Sequence, residues 1–284
     1  LSEQDEIIVF ERGEFISFAN CGLPYYVGDI IKSRRKLIVQ TVEGMSKRFN
    51  LDIRNFSEIT GINRKNKTVT VRSMKTGETY TKSYDILILS PGAKPIRPNI
   101  EGIDNAKNLF LLRSIPDTDL VRGFVDENKP ESAVVIGGGF IGVEMAENLS
   151  MRGVKITLVE KLSQVLAPLD FEMAQLVHRE LNVNGIYLIL NDGVACFKNE
   201  GRKVILESGL ALDTDMIILS IGVVPENSLA KSCGLAMGKR GHIKTTKQFQ
   251  VLDGKSGEVI NDIYAIGDAI QVTDYVTGAE TAIP

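Results

Sequence analysis

The chain has 284 residues, of which 43% are hydrophobic and 24% are charged, and its formal net charge is −3. This composition is typical of a soluble globular protein with room for two domains. The charge gives no electrostatic case for binding nucleic acid or an anionic membrane surface. The longest apolar runs have the length of a buried strand and are too short to span a membrane.

The three cysteines are far apart in the sequence and odd in number. This arrangement argues against a disulfide framework and predicts a reducing, cytoplasmic compartment. The chain has no CxxC motif and only two histidines, so we expect no metal site.

The first predicted unit consists of strands and turns. A hairpin is expected where residues alternate between β-branched or apolar and polar side chains on both sides of a Thr-Gly turn. The predicted strands of this unit are 6–10, 68–72, 78–82 and 85–89. A connector that contains proline and glycine follows at 91–102 and is the best candidate for a crossing between domains.

The second predicted unit alternates strands with helices. Apolar residues recur at helical spacing over 140–151, which predicts a helix. A second helix is predicted at 170–184, with Asp170 as its N-cap and Gly185 just past its end. Strands are predicted at 132–136, 154–160, 186–190, 203–207 and 216–220, and a last one at 263–267. Alternating β and α elements predict a doubly wound parallel sheet, so the fold class is α/β.

A glycine-rich turn joins the first strand and the first helix of this second unit. Gly137 permits the tight turn, Gly139 leaves room for a pyrophosphate, and Gly142 lets the helix pack closely on the strand. Free N–H groups at the helix N-terminus attract phosphate. Glu160 ends the next strand, where a carboxylate accepts hydrogen bonds from ribose hydroxyls and repels a 2′-phosphate. NADH is therefore favoured, although the adjacent Lys161 weakens that preference and leaves NADPH open.

Two more strands end in carboxylates. Glu11 closes a strand in the same way as Glu160, and a second adenosine ribose would bind there. The alternative for Glu11 is a solvated strand-end carboxylate. Asp268 follows the strand 263–267 and would accept from a ribityl hydroxyl, whereas the alternative is an aspartate that caps the next helix.

Cys21 differs from the other two cysteines in its surroundings. It is flanked by Asn20 and Gly22, and a helix is expected to start near Pro24. A helix N-terminus favours the reactive thiolate form of a nearby cysteine. With no second cysteine nearby, one thiol holds two electrons only as a mixed disulfide or as a sulfenic acid. We expect Cys196 and Cys233 to be buried as small hydrophobic residues.

Five segments of the chain occur together in the order found in one family. They read SFANCGLPYY at 17–26, LSPGA at 89–93, GGGFIG at 137–142, IGVVPE at 221–226 and YAIGD at 264–268. On these segments the chain resembles the FAD-dependent pyridine nucleotide-disulfide oxidoreductases. The stretch NCGLPY at 20–25 is similar to the single-cysteine branch, which includes coenzyme A-disulfide reductases and NADH-dependent CoA-persulfide reductases.

The resemblance implies two Rossmann-like nucleotide-binding domains. The FAD domain would comprise 1–114 and 241–284, with an NAD(P) domain at 115–240 inserted between them. In addition, we expect that the glycine-loop unit of the FAD domain and a C-terminal dimerisation domain lie outside this chain. The complete protein would be a homodimer.

The resemblance also implies roles for individual residues. Arg48 adjoins the position, here Phe49, at which relatives carry a basic residue that contacts CoA. The implied contacts are Glu11, Arg12, Ile59, Ala93 and Asp268 with FAD; Gly137, Gly139, Phe140, Ile141, Gly142, Glu160 and Gly222 with NAD; and Ser17, Asn20 and Arg48 with CoA, beside the catalytic Cys21.

The implied activity is electron transfer from NADH through FAD to a CoA disulfide or persulfide by way of Cys21. One alternative is an NADH oxidase or peroxidase in which Cys21 cycles through a sulfenic acid. Another is a fragment that binds nucleotide without catalysis.

Overall fold

The computed structural model describes residues 4–282, so the expected outer boundaries at residues 1 and 284 lie outside the described part. The helices, in chain order, are α1 (Leu23–Val27), α2 (Val42–Phe49), α3 (Ile115–Asn128), α4 (Phe140–Met151), α5 (Phe171–Val183) and α6 (Ser228–Ser232).

The strands are short and numerous. In chain order they are β1 (Ile8–Phe10), β2 (Ser17–Phe18), β3 (Ile38–Gln40), β4 (Asp52–Arg54), β5 (Ser57–Asn63), β6 (Thr68–Ser73), β7 (Thr79–Ser83), β8 (Leu87–Leu89), β9 (Ala93–Pro95), β10 (Leu109–Phe110), β11 (Ser132–Ile136), β12 (Lys155–Val159), β13 (Tyr187–Ile189), β14 (Val194–Lys198), β15 (Lys203–Leu206), β16 (Ala211–Asp213), β17 (Met216–Leu219), β18 (Val223–Pro225), β19 (Gln250–Leu252), β20 (Val259–Ala265), β21 (Val272–Thr273) and β22 (Glu280–Thr281).

A five-stranded parallel sheet forms the centre of one compact unit, whose residues are 18–39 and 95–222. Its strand order is β10-β17-β11-β12-β13. Strands β11 and β17 are almost entirely buried, as expected for a parallel sheet that is covered on both faces. This sheet confirms the predicted α/β class.

A separate antiparallel sheet in the same unit corrects one prediction. We expected 203–207 to belong to the parallel sheet, but β15 pairs antiparallel with β14 and β16. Val204, Leu206 and Phe197 of this small sheet pack into one apolar core with β11 and β17. The apolar pattern that identified β15 as a strand does not specify its pairing partners.

The other compact unit has described residues 4–17, 40–94 and 223–282. Strand β1 pairs parallel with β4, and β8 pairs parallel with β20, which also carries the antiparallel neighbour β19. The predicted hairpin is confirmed as β6 and β7, and β5 extends it to three strands. The core of this unit contains Leu89, Val251 and Ile263.

Local sequence specifies where two of the helices begin or end. Helix α3, which we did not predict, begins with a capping box in which Ser114 and Asp117 satisfy each other's backbone N–H groups. Helix α5 begins at the predicted position, although the Asp170 side chain at its N-cap makes no capping hydrogen bond. Gly185, just past its end, has φ 76°, which favours glycine.

The compact units and the predicted domains divide the chain differently. The segment 18–39, which we placed in the FAD domain, belongs to the unit of the parallel sheet. The division between FAD and NAD(P) domains near 114 and 240 stays a prediction about ligand binding.

Candidate functional site

The glycine turn between β11 and α4 is closed on two sides by protein backbone. Gly137 has φ 104°, and a Cβ there would lie 2.5 Å from the Ser220 carbonyl oxygen. A Cβ on Gly142 would lie 1.9 Å from the Gly137 carbonyl oxygen. Neither position accepts a side chain without movement of the backbone, so both glycines fix how the helix meets the sheet.

The third glycine of the turn faces open space. A Cβ on Gly139 would meet no atom within 4 Å, and Phe140 and Ile141 after it are 59% and 36% exposed. Gly139 is the N-cap of α4 and has no side chain to occupy the first N–H groups of that helix. This opening at a helix N-terminus fits a phosphate group.

Glu160 lies beside the same turn. Its Oε2 accepts from the Gly138 N–H at 2.6 Å, and its Oε1 accepts from the Leu162 N–H at 2.7 Å. Each carboxylate oxygen keeps capacity for a further donor, such as a ribose hydroxyl. Lys161 turns away to an ion pair with Glu207 at 2.7 Å.

Residues that sequence reasoning missed hold this turn in place. Ser220 Oγ donates to the carbonyl oxygens of Ile136 and Gly137 at 3.0 and 3.2 Å. The buried His178 accepts from the Val165 N–H through Nε2 at 3.1 Å, and burial lowers the pKa of this histidine, which keeps it neutral. The position of His178 on the predicted helix 170–184 was the only signal for it in the sequence.

Next to this segment, the Leu166 N–H donates to the Gly138 carbonyl oxygen at 2.8 Å. Gly222, the last predicted nucleotide contact, follows β17 with φ 109°. Its carbonyl oxygen accepts from the Ile96 N–H at 3.0 Å. The predicted nucleotide residues thus cluster at the carboxyl ends of β11, β12 and β17, the edge at which ligands bind in such sheets.

Cys21 lies in a single 3₁₀ turn, Asn20–Gly22, that leads directly into α1. Both Asn20 and Cys21 are exposed. The Ala19 N–H, just before this turn, donates to the carbonyl oxygen of Leu37, the residue that precedes β3, at 2.8 Å. The other two cysteines are half-buried rather than buried as predicted, and burial raises the pKa of the Cys233 thiol.

The predicted FAD residues occupy two places in the other unit. Glu11 follows β1, and its Oε1 accepts from the Gly13 N–H at 2.6 Å. Arg12 lies 3.7 Å from Glu58, the neighbour of Ile59 on β5. A carboxylate at the carboxyl end of a parallel strand fits a ribose.

Ala93 and Asp268 follow the paired parallel strands β8 and β20. Of the predicted CoA residues, Ser17 and Arg48 also belong to this unit. Arg48 is in the last turn of α2, with its guanidinium 5.1 Å from the ring centroid of Phe49. The roles of all these residues stay predictions.

Within 4–282, no group of three or more histidine, cysteine, aspartate or glutamate side chains is arranged to hold a metal ion. No helix in the described part of the chain is both long and apolar enough to cross a membrane.

Comparison with known proteins places this geometry in a family. The coenzyme A disulfide reductase of Staphylococcus haemolyticus (strain JCSC1435) is 34% identical over 273 residues, which cover 96% of this chain and 59% of that protein. The reduced Bacillus anthracis CoADR-RHD crystal structure is 57% identical with a TM-score of 0.96, and the match covers 100% of this chain and 50% of that chain.

A NAD-dependent persulfide reductase from A. fulgidus is 30% identical with a TM-score of 0.92, covering 100% of this chain and 52% of that one. The chain therefore spans between a half and three-fifths of the length of these proteins. The family description "Pyridine nucleotide-disulphide oxidoreductase" matches residues 2–283. The chain belongs to the pyridine nucleotide-disulphide oxidoreductase family.

Proposed function

We propose that this chain is the nucleotide- and thiol-bearing part of a flavoprotein that passes electrons from NAD(P)H to a CoA disulfide or persulfide. The observation that carries the proposal is the exposed Cys21 in the turn before α1. It lies in the same compact unit as the open glycine turn at Gly139. The relatives' names, coenzyme A disulfide reductase and persulfide reductase, support the choice of substrate.

Two cofactor sites follow from the predicted residues. Gly137, Gly139 and Gly142 would hold the nicotinamide dinucleotide, with Glu160 on its adenosine ribose. FAD would be held by residues of the other unit, namely Glu11, Arg12, Ala93 and Asp268, which follow strands, and Ile59, which lies on β5. Bound FAD would supply the two-electron link between NAD(P)H and the disulfide.

We propose NADH as the preferred reductant. The Glu160 carboxylate is fixed at the turn by the Gly138 and Leu162 N–H groups, where it would repel a 2′-phosphate. Lys161, the nearest cation in sequence, is neutralised by Glu207. NADPH would be the poorer reductant.

The thiol chemistry rests on Cys21. Its thiolate attacks one sulfur of a CoA disulfide, forms a Cys21–CoA mixed disulfide, and releases the other CoA as a thiolate. With CoA persulfide the same attack releases hydrosulfide. Two electrons from the nicotinamide then split the mixed disulfide, which regenerates the Cys21 thiolate and releases CoA. Asn20, the neighbour of Cys21, is proposed to contact CoA, and the proposed CoA contacts of Ser17 and Arg48 rest on the family resemblance alone.

The complete protein is proposed to be a homodimer in a reducing cytoplasm. The unpaired state of all three cysteines supports the reducing compartment. The dimer rests on the family resemblance, and its mass in solution tests it.

Replacement of Cys21 by serine tests the proposed function. In the intact, flavin-loaded protein, Cys21→Ser should abolish NADH-dependent reduction of CoA disulfide while NADH still bleaches the flavin. Cys196→Ser is the matched control because Cys196 is half-buried on β14, and it should retain activity. Normal turnover of CoA disulfide by Cys21→Ser would refute the proposal.

Oxygen and peroxide are measured in the same assay. If the wild-type protein consumes them faster than CoA disulfide or persulfide, the oxidase alternative replaces the proposal. A colourless protein without a flavin spectrum would favour a fragment that binds nucleotide without catalysis.

A further inference from the structure

The helix that follows Cys21 is anchored at its far end by side chains on α3 and just after α4. Helix α1 has five residues, and so short a helix is not stable by itself in water. Its position therefore depends on what it packs against, which is α3 and α4 of the same compact unit. Anything that moves α1 moves the turn that holds the thiol.

Arg122 of α3 donates hydrogen bonds to α1 and to the loop that follows it. Its Nη1 donates to the Tyr26 carbonyl oxygen at 2.6 Å and lies 3.4 Å from that of Ile31. Its Nη2 donates to Asp29 Oδ1 at 2.7 Å. The guanidinium also lies 4.3 Å from the ring centroid of Tyr26, within range of a cation–π interaction. The Arg122 side chain is only 18% exposed.

A second arginine completes the anchor. Arg152, just after α4, donates through Nη1 to the Val27 carbonyl oxygen at 2.9 Å and through Nη2 to Asp126 at 2.5 Å. Asp126 also lies 3.5 Å from Arg122 Nε. The two arginines bind the last carbonyl groups of α1, which have no partners within the helix, and their positive charge suits a helix C-terminus.

Close packing fixes the same end of α1 sterically. A Cβ on Gly28 would lie 2.2 Å from Asn148 Oδ1 of α4, so the α-hydrogen of Gly28 points at that oxygen instead. Asn148 is fully buried, and its Oδ1 has no conventional hydrogen-bond partner. The Cα–H group of Gly28 is placed to make a weak Cα–H···O contact with this oxygen.

We propose that Arg122 is a positioning residue for the Cys21 thiol, an inference that rests on the proposed function. Its fork of donors reaches Tyr26 and Asp29 together, so it holds α1 and the loop after it in one place on α3. Cys21 lies before the N-terminus of this five-residue helix. It is thereby held in a fixed position within the compact unit that would bind the nicotinamide nucleotide. Arg122 itself would touch neither substrate nor cofactor.

The test separates the two half-reactions of the intact, flavin-loaded protein by stopped-flow absorbance. In Arg122→Ala, reoxidation of the reduced flavin by CoA disulfide should slow by about 10- to 100-fold, the effect of misplacing a reacting group by about 1 Å. Reduction of the flavin by NADH should stay within about twofold of wild type. Arg122→Lys keeps the positive charge but lacks the planar set of N–H donors of the guanidinium, so it should recover only part of the lost reoxidation rate.

Amide hydrogen exchange tests the anchor without any reliance on activity. Exchange over 20–31 should be at least about tenfold faster in Arg122→Ala, while exchange in β11 is unchanged. The matched control is Arg202→Ala, which breaks an ion pair with Asp215 in the same unit and should leave 20–31 and both half-reactions unchanged.

Two results would overturn the inference: unchanged exchange over 20–31 in Arg122→Ala, or an equal loss in both half-reactions. A failure of the proposed function looks different. In that case Cys21→Ser would turn over CoA disulfide normally, whereas the exchange of 20–31 would still respond to Arg122→Ala.

Discussion

Gly142 and Gly139 of the glycine turn should respond differently to the same added methyl group. In Gly142→Ala the new Cβ would lie 1.9 Å from the Gly137 carbonyl oxygen and 2.8 Å from Ser220 Oγ. Helix and turn must separate by more than 1 Å to reach van der Waals distance, and overpacking of this kind costs about 1–3 kcal/mol of stability. In Gly139→Ala the methyl group meets no atom within 4 Å.

The Gly139 backbone also accepts alanine. Its φ is −74° and its ψ is −176°, which is extended backbone open to any residue. The unfolding free energy of Gly139→Ala should therefore stay within about 0.5 kcal/mol of wild type. A pyrophosphate that approaches this backbone would meet the new methyl group. If the resulting strain equals ordinary overpacking, about 1–3 kcal/mol, the Kd for NADH rises by about 5- to 150-fold.

Urea unfolding and calorimetric titration with NADH measure these two effects on the same preparations. Gly142→Ala should lower both stability and affinity, and Gly139→Ala should lower affinity alone. Retention of wild-type NADH affinity by Gly139→Ala would refute the placement of the pyrophosphate at this opening. A loss of stability in Gly139→Ala as large as that in Gly142→Ala would refute the open space itself.

Three other predictions concern the same unit. Because burial lowers the folded pKa of His178 from an unfolded value near 6.5, the unfolded state binds more protons, so stability is complete above pH 6.5 and falls below it. Below pH 6.5 the melting temperature should therefore drop less in His178→Gln than in wild type. An equal drop in the two proteins would contradict the assignment of His178 as a buried, neutral acceptor for the Val165 N–H. Ser114→Ala removes half of the capping box of α3 and should lower the free energy of unfolding in urea by about 1 kcal/mol. An unchanged free energy of unfolding would show that the Asp117 side chain alone is enough to cap the helix. Glu160→Gln should raise the ratio of kcat/KM for NADPH over NADH by about tenfold, and a constant ratio would remove Glu160 as the determinant.

Elements with strong local signals could be predicted from the sequence. Strand β11 and helix α4 have the predicted bounds, because an apolar strand, a glycine turn and an amphipathic helix follow one another directly. Helix α3 also has a local signal, namely its capping box and the proline in its first turn. Strand β14 (Val194–Lys198) was not predicted, because its short sequence, with Cys196 in the middle and Lys198 at its end, shows no clear apolar pattern.

Contacts between distant residues could not be predicted in this way. The site of Cys21 was identified from its neighbours in the sequence, but Arg122 lies 96 positions from Tyr26 and Arg152 lies 125 from Val27. Nothing local distinguishes these two arginines from solvated cations. For the same reason, the sequence did not show that 18–39 packs with the parallel sheet.

The most direct test of the central claim is to find where CoA becomes attached. The intact protein, with its flavin oxidised, its cysteines reduced and no other reductant present, is incubated with CoA disulfide, digested without reduction and mapped by mass spectrometry. We predict a single CoA mixed disulfide, on Cys21, that NADH removes from the flavin-loaded protein. A CoA adduct on Cys196 or Cys233 with an unmodified Cys21, or an adduct on Cys21 that NADH leaves in place, would contradict the assignment of Cys21 as the working thiol.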